Sequence, residues 1–248
     1  MSTLHTTPAT SLTVPCAGFQ GTTLIDFPGR IASIIFVPGC NLRCPYCHNG
    51  SLFSVPETEW WPSDLLWEEI VRRQPFIDGV VITGGEPSLH PGVIPFIQAL
   101  RARGLEVKLD TNGLDPTFVQ MALPYISYIA IDLKTIPERY YLLGTAARPG
   151  DIRERLRKTK ASLITASATV EYRITMYPGI IDGVETLIAM MDFVPPLADI
   201  YLQQFVPDHA WSEEARLVTP FEVSRLSEMM EALRRHTGRD RIYLRSYA

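Results

Sequence analysis

The chain has 248 residues, 46% of them hydrophobic, which is enough to bury one large core, so we predict a single domain. Its net charge of −4 leaves no positive field over the surface, which argues against a nucleic-acid-binding protein. The apolar runs are shorter than the about 18 residues of a membrane helix, so we expect no membrane span. The first Lys or Arg is Arg30, so we expect no signal peptide. We therefore expect the cysteines to lie in a reducing cytoplasm.

Short β-branched runs alternate with amphipathic stretches from residue 30 onward. Ser63 is predicted to cap the first helix, Gly104 to close the second, and Asp115 with Pro116 to begin the third. Alternation of this kind, with near-continuous apolar strands, predicts a parallel sheet covered by helices. In chain order the predicted elements are strand 30–37, helix 63–74, strand 79–82, helix 93–103, strand 106–109, a helix from 115, strand 126–131, helix 151–166, strand 170–176, helix 183–193, strand 199–205, helix 221–236 and strand 241–244.

The number of strand–helix units fixes the expected architecture. Six units are too few for an eight-fold barrel, so the fold class is α/β, an incomplete (β/α)6 barrel that stays open. No repeat or Gly/Ser linker divides the chain. We expect residues 1–20 to form an N-terminal arm, residues 21–248 to form the single domain, and residues 207–220 to form a long surface loop that carries Trp211 over the site.

Three cysteines with the spacing Cys-x3-Cys-x2-Cys follow the first predicted strand: Cys40, Cys44 and Cys47. Zinc sites usually offer four ligands in two pairs, and disulfide frameworks use an even number. Three thiolates can instead hold three irons of a [4Fe–4S] cluster and leave the fourth iron open. The alternative is a zinc site completed by a distant His, since His48 is too close in the chain for the usual geometry. Cys16 is interpreted as a free thiol that packs as a small apolar group.

Polar residues gather where the other predicted strands end. Ligands bind at the carboxyl ends of strands in parallel α/β folds, so we predict one site that these residues share with the cysteine loop. Each also has a structural explanation, since glycines form tight turns, aspartates cap helices, and lysines lie on surfaces. Lysine is rare here, at positions 108, 134, 158 and 160, which favours a role for Lys134. The predicted set is Gly84, Gly85, Glu86, Asp110, Asn112, Asp132, Lys134, Arg173 and Gln203, with Tyr46 and His48 beside the cysteines.

These motifs resemble the radical S-adenosylmethionine (SAM) superfamily. Its signatures are the cysteine triad, an aromatic residue before the last cysteine, and the Gly-Gly-Glu-Pro of residues 84–87. The Cys-His-Asn of residues 47–49, together with residues 110–113 and 132–134, resembles the glycyl radical enzyme activating enzymes. Residues 23–29 and 201–205 are similar to the activating proteins of anaerobic ribonucleoside-triphosphate reductases.

The resemblance implies a radical SAM oxidoreductase with an incomplete (β/α)6 TIM-like barrel and one [4Fe–4S] cluster. Cys40, Cys44 and Cys47 would bind iron, and SAM would bind the open iron through its amino and carboxylate groups. Tyr46 and His48 would flank the adenine. The remaining implied contacts are Gly85 and Glu86 at the amino group, Asp132 and the catalytic Lys134 near the carboxylate, and Gly84, Asn112, Arg173 and Gln203 elsewhere on the cofactor.

The resemblance also implies partners. Asp110 and Asp132 would hold a monovalent cation beside SAM, and Asp26 would touch the backbone of a substrate peptide. The enzyme would cleave SAM reductively under anaerobic conditions, take its electron from flavodoxin or ferredoxin, and generate a glycyl radical on anaerobic ribonucleotide reductase. One departure is Val206, which stands where pyruvate formate-lyase activating enzymes have a SAM-contacting His; Gln203 and Gln204 are the expected substitutes.

Two other functions fit parts of the pattern. A radical SAM enzyme acting on a small molecule, such as 7-carboxy-7-deazaguanine synthase, shares the triad and the Gly-Gly-Glu-Pro. That family typically ends its triad in Cys-Asp-Thr, whereas this chain has Cys47-His48-Asn49. A zinc- or cluster-binding interaction protein would leave the strand-end acids and Lys134 without a role.

Overall fold

The structure is a computed structural model that describes residues 13–246. Eight strands of these residues form one sheet in the order β1 to β8, with β1 antiparallel to β2 and every later pair parallel. The strands are β1 (Gly18–Thr23), β2 (Ala32–Val37), β3 (Gly79–Gly84), β4 (Glu106–Thr111), β5 (Tyr128–Asp132), β6 (Thr169–Met176), β7 (Asp199–Gln204) and β8 (Ile242–Arg245). The α-helices are α1 (Ser63–Arg73), α2 (Val93–Ala102), α3 (Pro116–Ala122), α4 (Pro149–Ile164), α5 (Val184–Met190), α6 (Glu213–Arg216) and α7 (Val223–Thr237).

The predicted parallel α/β architecture is confirmed. Each strand from β2 to β7 is followed by at least one helix before the next strand, which gives six strand–helix units, and β1 and β8 form the two edges of the sheet. Within residues 13–246, no helix combines the length and the apolar composition that crossing a bilayer requires.

The strand β1 was not predicted, and its first three residues fall in the stretch assigned to the N-terminal arm. Two glycines weaken the strand signal of its sequence, Gly-Phe-Gln-Gly-Thr-Thr. Pairing with β2, in the register Gly18↔Phe36, stabilises the extended conformation that the local strand propensity favours only weakly. Val14 and Cys16 just before it are buried in the main core. Residues 1–12 of the predicted arm lie outside the described residues.

The helix ends test three cap predictions. Asp115 caps α3 by accepting a hydrogen bond from the Phe118 amide at 2.9 Å, and Gly104 follows α2 with a φ of +82°, so both predictions are confirmed. The prediction for Ser63 is wrong. Ser63 is the first residue inside α1, and its hydroxyl bonds the backbone of Val14 at 3.3 Å instead of the helix amides.

The segment 207–220 is not the plain surface loop that was predicted. It contains a 3₁₀ turn at Pro207–His209 and the one-turn helix α6, which Ser212 caps through Ala215 at 3.0 Å. The Ser212 amide also bonds the Pro45 carbonyl at 3.1 Å, so the segment packs against the cysteine loop. A single helical turn is too short to produce a periodic sequence pattern.

The two faces of the sheet differ in composition. Side chains alternate between faces along a strand, so Ile35, Ile82 and Leu109 join the main core on the helix side. A small apolar cluster that includes Phe27 and Val81 lies on the inner face. Towards the carboxyl ends of the strands the inner face becomes polar and lines a cavity.

Candidate active site at the carboxyl edge of the sheet

A cavity of about 390 Å³ opens at the carboxyl ends of the strands, and its wall brings together every residue predicted for the site. Asp26 also lines it, although it comes from the β1–β2 turn. Further lining residues that were not in the predicted set are Phe36, Leu42, Asn49, Phe53, Thr83, Thr111, Thr175 and Gln204. The residues singled out from the sequence that line the cavity are Cys40, Cys44, Tyr46, Cys47, His48, Gly84, Gly85, Glu86, Asp110, Asn112, Asp132, Lys134, Arg173 and Gln203.

The cysteine loop is fixed by its own backbone and by Arg43. The Cys47 amide donates to the Cys44 carbonyl at 3.1 Å, and the Leu42 amide donates to the Cys40 sulfur at 3.4 Å. Arg43 Nη1 donates to the carbonyls of Cys40 and Leu42 at 2.6 and 2.8 Å. The loop therefore holds its three thiols in place through contacts that do not depend on metal.

The chemistry of the thiols suits a cluster better than a single ion. Burial raises the pKa of all three, and that of Cys44 to about 12, so each keeps its proton until a metal displaces it. Among the described residues, no three His, Cys, Asp or Glu side chains form a group that could hold a single metal ion as they stand. A [4Fe–4S] cluster places each thiolate on a different iron and so accepts a wider triad. Cys16 is buried elsewhere and donates to the Gly18 carbonyl at 3.1 Å.

The glycine pair is required by the packing of two loops. A Cβ at Gly85 would lie 1.8 Å from the Gly39 carbonyl oxygen, and one at Gly84 would lie 2.6 Å from the Val37 amide nitrogen. Gly84 also has a φ of +114°, which other residues rarely adopt. The Gly85 and Glu86 amides donate to the Val37 and Gly39 carbonyls, both at 2.8 Å. This close approach anchors the loop after β3 to the start of the cysteine loop.

The Glu86 carboxylate accepts several hydrogen bonds from the protein that the sequence did not predict. Its side chain accepts hydrogen bonds from the Thr111 hydroxyl at 2.6 Å, the Asn112 amide at 2.8 Å and the Ser88 amide at 3.1 Å. The residue is 1% exposed, and burial raises its pKa although these donors oppose the shift. Asn112 in turn donates to Asn41 at 2.7 Å. Glu86 therefore joins the loops after β3 and β4, and its predicted contact with the SAM amino group stays a prediction.

Five charged side chains form a chain of alternating sign along the inner face. Lys134 Nζ lies 3.2 Å from Asp132, and Arg173 bonds Asp132 through Nε at 2.7 Å and Asp110 through Nη1 at 3.1 Å. Lys108 completes the chain with a 2.5 Å contact to Asp110. Burial alone would raise the pKa of both aspartates, but Arg173 and the two lysines outweigh it and hold the pKa of each carboxyl below its ordinary value.

This ion-pair chain does not support the predicted monovalent cation. The guanidinium of Arg173 already joins Asp110 to Asp132, and a lysine neutralises the far side of each carboxylate. A role for Lys108 at the site was not predicted from the sequence. Its position two residues before Asp110 places both side chains on the same face of β4 and could have indicated the contact. The Lys134 ammonium can still donate to a ligand, since it has three N–H groups and its ion pair is with Asp132.

The two predicted adenine contacts, Tyr46 and His48, have different neighbours. His48 Nε2 donates to the Val206 carbonyl at 3.2 Å, and its ring lies 6.0 Å from that of His209. Burial lowers the pKa of His48, which favours a neutral imidazole. Tyr46 is only 4% exposed, and its ring packs against Tyr177 at 5.1 Å.

Two aromatic residues support the walls of the site in ways that the sequence did not predict. Trp211 was expected to cover the cavity, but within residues 13–246 it is absent from the lining and instead packs against Phe53, a lining residue, at 5.2 Å. Tyr140 was not predicted. It is fully buried in the 3₁₀ helix Pro137–Leu143, and its hydroxyl lies close to the Lys134 backbone.

The comparisons with known proteins point to one superfamily. The sequence pattern of the Radical SAM superfamily matches residues 34–194. The chain is 30% identical over 218 residues to a Methanocaldococcus jannaschii protein named as a glycyl-radical enzyme activating enzyme, covering 86% of this chain and 89% of that one. It is 23% identical to the pyruvate formate-lyase-activating enzyme of Clostridium pasteurianum, over 75% of this chain and 78% of that one.

A second class of relative matches over a shorter stretch. The 7-carboxy-7-deazaguanine synthase of Hyperthermus butylicus is 36% identical over 115 residues, which is 46% of this chain and 48% of that one. Among solved structures, QueE from Escherichia coli aligns with 94% of this chain and 93% of its own, with a TM-score of 0.56 and 17% identity. At that identity the likeness speaks for the fold alone.

Proposed function

The chain belongs to the radical SAM superfamily and is an enzyme that acts through radical chemistry, and we propose that it is a glycyl radical enzyme activating enzyme. One observation supports the proposal: three thiols, a lysine–aspartate pair and Asp26 line a single cavity. The activating enzyme of M. jannaschii, which aligns with most of both chains, supports this subgroup.

The residues present fit the two cofactors that the superfamily implies. Cys40, Cys44 and Cys47 would hold the cluster, and the Lys134 ammonium would pair with the SAM carboxylate while Asp132 keeps it in position. The cluster and SAM, when bound, supply one-electron cleavage of the bond from sulfur to the ribose carbon and a primary carbon radical that abstracts a hydrogen atom. The protein holds the reacting groups together and shields them from water.

The position of Asp26 supports a peptide as the substrate. It lines the cavity from the β1–β2 turn, where the Thr23 hydroxyl donates to its carboxylate and the Thr23 oxygen accepts from the Asp26 amide at 3.3 Å. These contacts orient the carboxylate, which can accept a hydrogen bond from a peptide N–H. A glycine loop of a partner enzyme that entered here would reach the space beside the cysteines.

Within this class, the proposed partner is an anaerobic ribonucleotide reductase, and the proposed electron donor is flavodoxin or ferredoxin. The support for the partner is the resemblance of residues 23–29 and 201–205 to the activating proteins of those reductases. The proposed compartment is a reducing cytoplasm, which suits four free thiols.

The second candidate is a radical SAM enzyme that acts on a small molecule, such as 7-carboxy-7-deazaguanine synthase. The match of 36% identity to such an enzyme favours it, but that match spans only 46% of this chain. The Cys-His-Asn ending of the triad and the acid on the β1–β2 turn favour the activating enzyme.

Reconstitution under anaerobic conditions tests the cofactor set. The protein should bind about four irons, and SAM should change the EPR signal of the reduced cluster. Cys40→Ala, Cys44→Ala and Cys47→Ala should each abolish cluster binding. The matched control Cys16→Ala should retain it, because Cys16 lies outside the cavity. Stoichiometric zinc without a cluster would contradict the proposal.

A further inference from the structure

Two buried phenol hydroxyls lack a hydrogen-bond partner in the part of the chain that the structure describes, and both lie at the cysteine loop. They belong to Tyr46 and Tyr140, which are 4% and 0% exposed. The one other buried side-chain atom in this state among the described residues is Arg234 Nε, on helix α7. Both are placed near Cys44 by the backbone: Tyr46 follows it by two residues and lines the same cavity, and the 3₁₀ helix of Tyr140 bonds Arg43, the residue directly before it.

Neither hydroxyl can turn towards water. The Tyr46 ring is packed against Tyr177 at 5.1 Å, and Tyr177 is held in turn by Phe205 at 4.8 Å. Tyr140 lies in the 3₁₀ helix whose last residue, Leu143, accepts a hydrogen bond from the Arg43 amide at 2.6 Å. Buried polar groups are almost always paired, so two unpaired donors at the part of the loop that carries Cys44 indicate an acceptor that a bound group supplies.

We infer that Tyr46 and Tyr140 donate hydrogen bonds to the sulfur atoms on the Cys44 side of the bound cluster and thereby raise its reduction potential. This inference rests on the proposed cluster. A thiolate or sulfide sulfur that carries negative charge is a better acceptor than the protonated thiol, with which Tyr46 makes no hydrogen bond of normal geometry. Reduction adds negative charge to the cluster, and donors aimed at its sulfurs stabilise that state.

Through these hydrogen bonds both tyrosines would position the cluster and tune its reduction potential, a role distinct from contact with adenine. The Lys134 amide lies beside the Tyr140 oxygen, which leaves the phenol proton for another acceptor. The 3₁₀ helix Pro137–Leu143 follows Lys134 in the chain and ends at Leu143, which bonds the cysteine loop through the Arg43 amide.

The experiment uses the reconstituted holoenzyme and the variants Tyr46→Phe, Tyr140→Phe and their combination. The midpoint potential is measured by redox titration followed by EPR, without SAM, and iron content is measured in parallel. We expect an unchanged iron content and a lower midpoint potential. In the double variant the equilibrium constant for reduction of the cluster should fall about tenfold, which corresponds to about 59 mV for one electron. Tyr141→Phe is the matched control, because its side chain is 67% exposed and should leave the potential unchanged.

A second measurement separates this role from a structural one. Tyr46→Phe removes an unpaired hydroxyl and should leave the free energy of unfolding of the metal-free protein in urea equal to that of the wild type or higher, whereas loss of a hydroxyl with an ordinary structural bond would lower it. Wild-type protein with four irons and variants of unchanged potential would overturn this inference alone. Wild-type protein that binds no iron would overturn the proposed function as well.

Discussion

Arg173 donates through Nε to Asp132 at 2.7 Å, and the same guanidinium reaches Asp110 at 3.1 Å. The Arg173 side chain is 16% exposed, so the two carboxylates share one buried counter-charge. Lys134 meets Asp132 from the other side, and its position over the cavity therefore depends on this pair. A residue predicted as a cofactor contact is thus also the centre of the ion-pair chain that builds the site.

Replacement of Arg173 should destabilise the protein strongly. Arg173→Ala removes the shared partner of the buried Asp110 and the partly buried Asp132 and leaves each with one lysine, so the free energy of unfolding in urea should fall by about 3 kcal/mol. Arg173→Lys should lose less. Arg225→Ala is the surface control, because its pair with Glu228 is 55% and 67% exposed, and it should cost about 0–1 kcal/mol. Equal losses at the two arginines would contradict the role of Arg173.

The cost of Arg173→Ala should depend on pH. Asp110 and Asp132 have pKa values held below the unfolded value of about 4, so their contribution to stability is present above that pH and is lost as the pH falls through the folded pKa. Removing Arg173 weakens this depression. The difference in unfolding free energy between wild type and variant should therefore be largest near pH 7 and shrink as the pH falls below about 4 towards the folded pKa values. A constant difference would show that the penalty comes from lost packing.

Thr111 tests the structural role of Glu86. Thr111→Val removes the hydroxyl that donates to the Glu86 carboxylate at 2.6 Å, and should lower the free energy of unfolding by about 1–3 kcal/mol. Thr111→Ser keeps a hydroxyl and should recover most of the loss. If valine were tolerated as well as serine, the bond would not support the loop after β3.

Lys134 tests the predicted contact with SAM. Lys134→Ala should weaken SAM binding about tenfold or more, measured by equilibrium binding to the reconstituted enzyme, because it removes a charge-assisted hydrogen bond. Iron content should stay near that of the wild type, since Lys134 is not a cluster ligand. The control Lys158→Ala should change neither quantity, because Lys158 pairs with Glu154 on the outer surface. Loss of iron with SAM affinity retained would refute the assignment.

The sequence was sufficient to predict the parallel α/β fold and the charged, glycine and cysteine residues that line the cavity, but not its apolar and threonine lining residues. Strand and helix periodicity identified β2 to β8, and the rule that ligands bind at strand ends grouped the polar motifs correctly around one cavity. The strand β1 was not predicted because Gly18 and Gly21 give its sequence little intrinsic strand propensity. Its conformation depends on its pairing with β2.

The orientation of individual side chains could not be predicted in the same way. Glu86 points into the protein and not only into the cavity, because donors from residues 111 and 112, distant in sequence, reach its carboxylate. The link between Asp110 and Asp132 through Arg173 depends on three neighbouring strands being in register. Tyr140 carried no motif, and only its burial beside Cys44 marks it.

Transfer of hydrogen from a glycine is the most direct test of the central claim. The reconstituted enzyme is reduced with SAM and a glycine-containing peptide from the cognate partner, deuterated at the glycine Cα, and 5′-deoxyadenosine is analysed by mass spectrometry. Deuterium should appear in that product, SAM cleavage should be faster with the peptide than without it, and Asp26→Ala should weaken this stimulation more than SAM binding. Absence of deuterium with every cognate glycyl peptide, together with turnover restored by a small heterocycle, would contradict the activating-enzyme function and support the small-molecule enzyme.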